Sequence, residues 1–124
     1  MSFVLQQKPT YTWPVVLLIP TDGGQKEKHT FDAVFNRLDQ DRINEIVKLA
    51  RISTRSAYDE EAPELVDKEV AKEILADWKG IVDDKGEPVP FSSSTVDRLL
   101  RLPTVASQIV RTWFESIDVS KKKR

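Results

Sequence analysis

Tyr11-Thr12-Trp13-Pro14-Val15-Val16-Leu17-Leu18-Ile19, followed by Pro20-Thr21-Asp22-Gly23-Gly24, decides how this chain begins to fold. β-Branched and aromatic side chains crowd the first stretch, as a strand requires. The Asp-Gly pair is the strongest short-range hairpin signal, because glycine enters the positive-φ region a tight turn needs. A returning strand is therefore expected. In residues 28–35, His29, Phe31, Ala33 and Phe35 alternate with Lys28, Thr30, Asp32 and Val34, which is the period of two of a half-buried strand. Residues 11–35 are read as a β-hairpin.

On the first strand, Tyr11, Trp13, Val15, Leu17 and Ile19 share one face, and Val16 and Leu18 lie on the other. Pro14 has no N–H to give to a ladder and belongs on an edge. A two-stranded hairpin with two apolar faces is marginal in water. It must pack on helices, gain strands from its own chain, or pair with another molecule. Tyr11, Trp13, Val15, Leu17 and Ile19 are accordingly predicted to form a partner-binding surface, with Trp13 its most pointed member because aromatics at strand edges often serve interfaces.

Beyond the hairpin the period becomes helical. Ile43, Ile46, Val47 and Ala50 mark a helix over 40–53, opened by Asp39 and Asp41. Residues 54–62 read as an exposed acidic connection. Pro63 then opens a helix over 63–79, with Val66, Val70, Ile74 and Trp78 at steps of four and Gly80 as its stop. Residues 83–86 form a turn, and Glu87-Pro88-Val89-Pro90-Phe91 is held extended by its prolines. Residues 92–95 supply N-caps for a helix over 94–101, and Pro103 opens the last one, over 104–117, with Val105, Ile109, Trp113 and Ile117 on one face. The expected fold is α+β, an N-terminal β-hairpin packed on about four helices with Trp78 and Trp113 in the helical core. It forms a single domain over 1–118, followed by a solvated basic tail at 119–124.

Composition narrows the chemistry. A 124-residue chain with 40% hydrophobic residues has the size and material for one core. With 19 basic and 20 acidic side chains its formal charge is −1, which disfavours generic nucleic-acid binding. There is no cysteine, and His29 is the single histidine, so thiolate chemistry and His-ligated metal clusters are excluded. Ser92, Ser93 and Ser94 lack the glycines of a nucleophile elbow, and Gly23-Gly24 is not followed by a phosphate-binding signature. The carboxylates from Asp59 to Glu69 read as a solvated face and helix start. Placing Gly86 sixth in a calcium loop puts Ile81 first and Lys85 fifth, where oxygen ligands belong. No enzyme, catalytic residue, cofactor or metal is predicted. The longest apolar run, 15–19, is far short of the roughly 20 residues of a membrane helix. Residues 1–8 lack a basic region before an apolar core, so no secretion signal is expected.

Three segments together resemble tail assembly chaperones of long-tailed, siphovirus-type bacteriophages. They are Ile74-Leu75-Ala76-Asp77-Trp78-Lys79-Gly80-Ile81-Val82-Asp83, Gly86-Glu87-Pro88-Val89-Pro90-Phe91-Ser92 and Leu99-Leu100-Arg101-Leu102-Pro103. The resemblance covers 74–103, and Thr12-Trp13-Pro14-Val15 with Asp22-Gly23-Gly24 agrees with the family's N-terminal region. It implies a chaperone in the host bacterial cytoplasm, absent from the mature virion. Such a protein associates with itself, engages the tape measure protein and promotes assembly of tail tube protein around it. It also implies a longer product of ribosomal frameshifting, with which Lys121-Lys122-Lys123 is compatible. The alternatives are a head-to-tail or tail-completion component retained in the particle, and a small nucleic-acid-binding regulator using the helical half and the basic tail.

Overall fold

The computed structural model describes residues 5, 8–55 and 61–117. Strand β1, Thr10–Thr21, pairs with β2, Gln25–Asn36, in unbroken antiparallel register from Thr10↔Asn36 to Thr21↔Gln25. The turn between them, Asp22–Gly24, takes Gly23 to φ +82° and Gly24 to φ +77°, a conformation that side chains with a Cβ resist. The expected hairpin is thus present, one residue longer at each end. Its inward face buries Val15, Leu17, Phe31, Ala33 and Phe35, whereas residues 22–30 are exposed and extend past the core.

The helix expected over 63–79 is two elements. Helix α1 spans Gln40–Arg55 and α2 spans Glu61–Ile74, but Leu75–Lys79 is a third strand, β3, antiparallel to β2 in a sheet ordered β1-β2-β3. Trp78 therefore stands on a strand, opposite Ala33, and not on a helix. Had the helix continued, β2 would keep unpaired backbone along Asp32–Phe35, next to a buried core. Pairing satisfies those groups. A register shift between Val34 and Phe35 pairs them with Asp77 and Leu75, so Ala76 is the extra residue of a bulge. The bulge lets Leu75 and Trp78, three apart, both face the core.

The proline-stiffened strap then folds back on β3. Trp78 Nε1 donates to the Val89 carbonyl at 2.8 Å, and the Trp78 and Phe91 rings meet edge to face at 5.0 Å. Asp83 accepts the N–H groups of Lys85 and Glu87 at 2.9 and 3.0 Å, so its carboxylate closes a turn. Ser92 caps α3, Ser93–Leu100, in a reciprocal capping box with Thr95. Helix α4 is Val105–Ile117. It starts one residue later than expected, because Thr104 adopts φ +66° and lies outside the helix while its carbonyl accepts the Gln108 N–H at 3.0 Å.

Helices α4 and α2 pack together, and α4 also lies against β1. Val105, Ile109 and Trp113 of α4 join Ile46 of α1, Ile74 of α2 and the inward face of the sheet in one core cluster. The fold is α+β, with a three-stranded antiparallel sheet and four helices. Ion pairs tie the helical layer. Arg42 of α1 reaches Glu73 of α2 at 2.6 Å and Glu45 at 2.9 Å, and Lys72 of α2 reaches Asp97 of α3 at 2.9 Å. The middle of the expected acidic connection, residues 56–60, and the basic tail lie outside the described residues. Among those that are described, no helix is long and apolar enough to cross a membrane.

Candidate partner-binding groove

The five side chains expected to meet a partner divide into two groups. Val15 and Leu17 are buried in the chain's own core, where α4 supplies the cover the hairpin needs, and Ile19 packs partly against that core. Tyr11 is half-buried and Trp13 remains 38% exposed. The accessible part of this face is therefore its Tyr11–Trp13 end. On the opposite face of the sheet Val16 and Leu18 are 44% and 45% exposed.

The free edge of β1 is not open along its length. Leu18 donates its N–H to Gln108 Oε1 at 2.8 Å and accepts from Gln108 Nε2 at 3.0 Å, so a side-chain amide of α4 takes the place of a neighbouring strand. Thr104 Oγ1 holds the same Nε2 at 3.0 Å. Antiparallel geometry turns alternate residues outward, so Thr10, Thr12, Pro14, Val16 and Pro20 face the same edge as Leu18. Two of these are prolines without an N–H. Chain-to-chain strand pairing is thereby hindered at three of six outward positions.

Where β1 begins, a groove of about 560 Å³ opens between β1, the β2–α1 connection and the ends of α1 and α4. Its walls are Trp13, Leu38, Ile43, Trp113 and Ile117. The Tyr11 ring stands edge-on to Trp13 at 6.4 Å and to Phe35 at 5.8 Å. Ser116 donates to the Trp113 carbonyl at 2.6 Å, which leaves the Tyr11 hydroxyl to donate to Ser116 Oγ at 2.7 Å. A second, smaller groove of about 350 Å³ shares Trp13 and is bordered by Val16, Leu18, Gln108, Arg111 and Glu115. Trp13 is thus a wall shared by both.

Arg37 sets the electrostatics of the larger groove. Its guanidinium lies 4.9 Å from the Tyr11 ring centroid, a cation–π distance, and its Nε donates to the Lys8 carbonyl at 2.9 Å. Its two terminal nitrogens have no hydrogen bond or ion pair among the described residues. Arg42 is the contrast: bonded to Glu73 and Glu45, it has its pKa raised further and is fully engaged. Sequence reading did not single out Arg37, which shares a three-residue connection with Leu38 and the helix-opening Asp39 and whose one signal is its place between the strand residue Asn36 and apolar Leu38. His29 sits exposed beside Glu27 at 3.1 Å, and the serines of residues 92–94 surround a helix cap. Around Trp13 the described side chains form an apolar cleft with the Arg37 cation at its rim.

Fold and groove define a small α+β protein whose accessible features are an aromatic cleft and a guarded strand edge. Residues 27–122 match the model of the YdaY prophage protein family, and the chain belongs to that family, a phage-derived one. No curated protein and no solved structure shows significant similarity to it.

Proposed function

We propose that the chain is a phage tail assembly chaperone that works by binding, without catalysis. It associates with itself, engages the tape measure protein and promotes polymerisation of tail tube protein in the host cytoplasm, and it is left out of the finished virion. The observation that carries the reading is the resemblance of residues 74–103 to such chaperones in a chain of a prophage family. In the fold that segment is a unit: Trp78 on β3, the Val89–Phe91 strap locked over it, and α3 capped behind it. The groove at Trp13 supports the reading separately, since a half-exposed tryptophan in an apolar cleft suits a protein client. A longer frameshifted product belongs to the same reading, and an A-AAA-AAG type heptamer over the Lys121-Lys122-Lys123 codons is its expected trace.

The test is co-expression with the tape measure protein of the same prophage. Co-purification and raised solubility of the tape measure protein are expected, together with absence of this chain from purified virions by mass spectrometry. Failure to bind or solubilise it removes the chaperone assignment. Recovery of this chain at fixed copy number in virions would favour a structural tail component instead.

A further inference from the structure

We infer that the groove beside Trp13 receives an amphipathic helix of a protein partner, with an apolar side chain between Trp13, Leu38, Ile43 and Ile117 and a neighbouring carboxylate on Arg37. The inference rests on the client-binding reading above and specifies what part of the client is bound. Among the described residues that line the groove, Arg37 is the one charged side chain, and no carboxylate accompanies it. A cation at the rim of an apolar cleft, without a counter-charge, selects a partner that brings one.

Arg37 is also placed in advance. The Lys8 carbonyl fixes Nε and the Tyr11 ring supports the guanidinium plane, so the fork that remains has the geometry of a bidentate carboxylate receptor. Tyr11 is itself fixed by Ser116, so the floor of the site is rigid. Little ordering is left for the moment of binding.

The guarded edge identifies the backbone of the occupant. An extended peptide laid along β1 would need a ladder over Thr10, Thr12, Pro14, Val16, Leu18 and Pro20. Pro14 has no N–H, and Leu18 is already bonded through both its polar groups to Gln108. The N–H groups that remain, on Thr10, Thr12 and Val16, are broken up by Pro14 and Leu18 and give no continuous ladder. A helix satisfies its own backbone and presents only side chains, which is what the cleft can read. Apolar anchors three or four residues apart, with Glu or Asp on the adjoining turn, match its walls and its cation.

The test uses two fluorescein-labelled peptides of Ala, Leu and Lys with leucines at helical spacing, one with Glu and the other with Gln beside the leucine pair. They are titrated by anisotropy into the full chain and its Arg37→Gln and Arg37→Lys variants. The Glu peptide is expected to bind about tenfold more tightly than the Gln peptide. That advantage vanishes in Arg37→Gln and shrinks in Arg37→Lys, while the melting temperature of both variants stays unchanged. Equal binding of the two peptides, an advantage that survives Arg37→Gln, or no gain of helical circular dichroism on binding overturns the inference. So does a dimer in which Trp13 is already shielded from iodide quenching before peptide is added, since a second copy would then be the occupant. Tape measure binding that is indifferent to Arg37→Gln removes the groove assignment and leaves the chaperone reading. Glu-selective peptide binding without tape measure binding does the reverse.

Discussion

At the scale of single residues, neighbours on one face of β1 have opposite roles, and substitution separates them. Trp13 is part-exposed at a groove wall, whereas Val15, two residues on, is fully buried. Trp13→Asp is expected to leave a folded protein, with the melting temperature lowered by a few degrees at most, and to abolish client binding. Val15→Asp places an unpaired carboxylate in the core at a cost of several kcal/mol, against a total stability of roughly 5–15 kcal/mol for a domain, and should largely unfold it. Circular dichroism with a pull-down separates the two outcomes, and a Trp13→Asp protein that still binds its client would remove Trp13 from the interface. Gln108 is the second informative position. Gln108→Ala withdraws the amide that covers Leu18 and leaves an edge with a free N–H and C=O. Because these groups are exposed, water replaces the lost bonds and stability should fall by only about 1–2 kcal/mol. Sedimentation velocity should instead show concentration-dependent association, and a strictly unchanged size distribution would show that the amide does not guard the edge.

At the scale of elements, the strap over β3 shows how one hydrogen bond locks a segment. Trp78→Phe keeps an aromatic for Phe91 but leaves the Val89 carbonyl without its indole donor. The expected loss is about 1–3 kcal/mol in urea denaturation, with the slope unchanged. A larger loss in Phe91→Ala than in Trp78→Phe would mean that ring fit, not the bond, holds the strap. The same element marks the boundary of what sequence reading reaches. The hairpin was legible because its cues are local: alternation in residues 28–35 and an Asp-Gly turn. Helix α4 was legible because Val105, Ile109, Trp113 and Ile117 repeat every four and have no rival period. In residues 74–79, by contrast, Ile74 and Trp78 stand at helical spacing and extend the series Val66, Val70. What makes residues 75–79 a strand is the free edge of β2, some forty residues earlier in the chain, together with a bulge that no local pattern announces. The groove was half legible for the same reason. Trp13 carries its own signal, an aromatic beside an edge proline, but Arg37, Leu38, Ile43 and Ile117 acquire meaning only when three elements meet.

At the scale of the whole molecule, the sheet and the helical layer are held by different forces and should respond differently to acid. The sheet contributes apolar faces to the shared core, whereas the helices are joined to one another in part by charge: Arg42 to Glu73 between α1 and α2, and Lys72 to Asp97 between α2 and α3. The hydrogen bond from Arg42 holds the Glu73 carboxyl below its ordinary pKa, and that from Lys72 does the same for Asp97. A carboxyl whose pKa is lower folded than unfolded binds fewer protons in the folded state, so its contribution is complete above the ordinary carboxylate range. It is lost as pH falls through that range to the lowered folded values. Both pairs are substantially exposed, so the loss is modest and salt reduces it further. The melting temperature is accordingly expected to be flat from neutral pH down to the upper end of carboxylate titration and to fall below it. A Glu73→Gln, Asp97→Asn double variant should start lower at neutral pH and fall less, so that the two curves converge in acid. Parallel curves would mean that neither pair couples folding to protons. Convergence with early loss of helical circular dichroism, while the buried tryptophans stay shielded, would place the first acid-driven opening at the α1–α2–α3 contacts, away from the sheet.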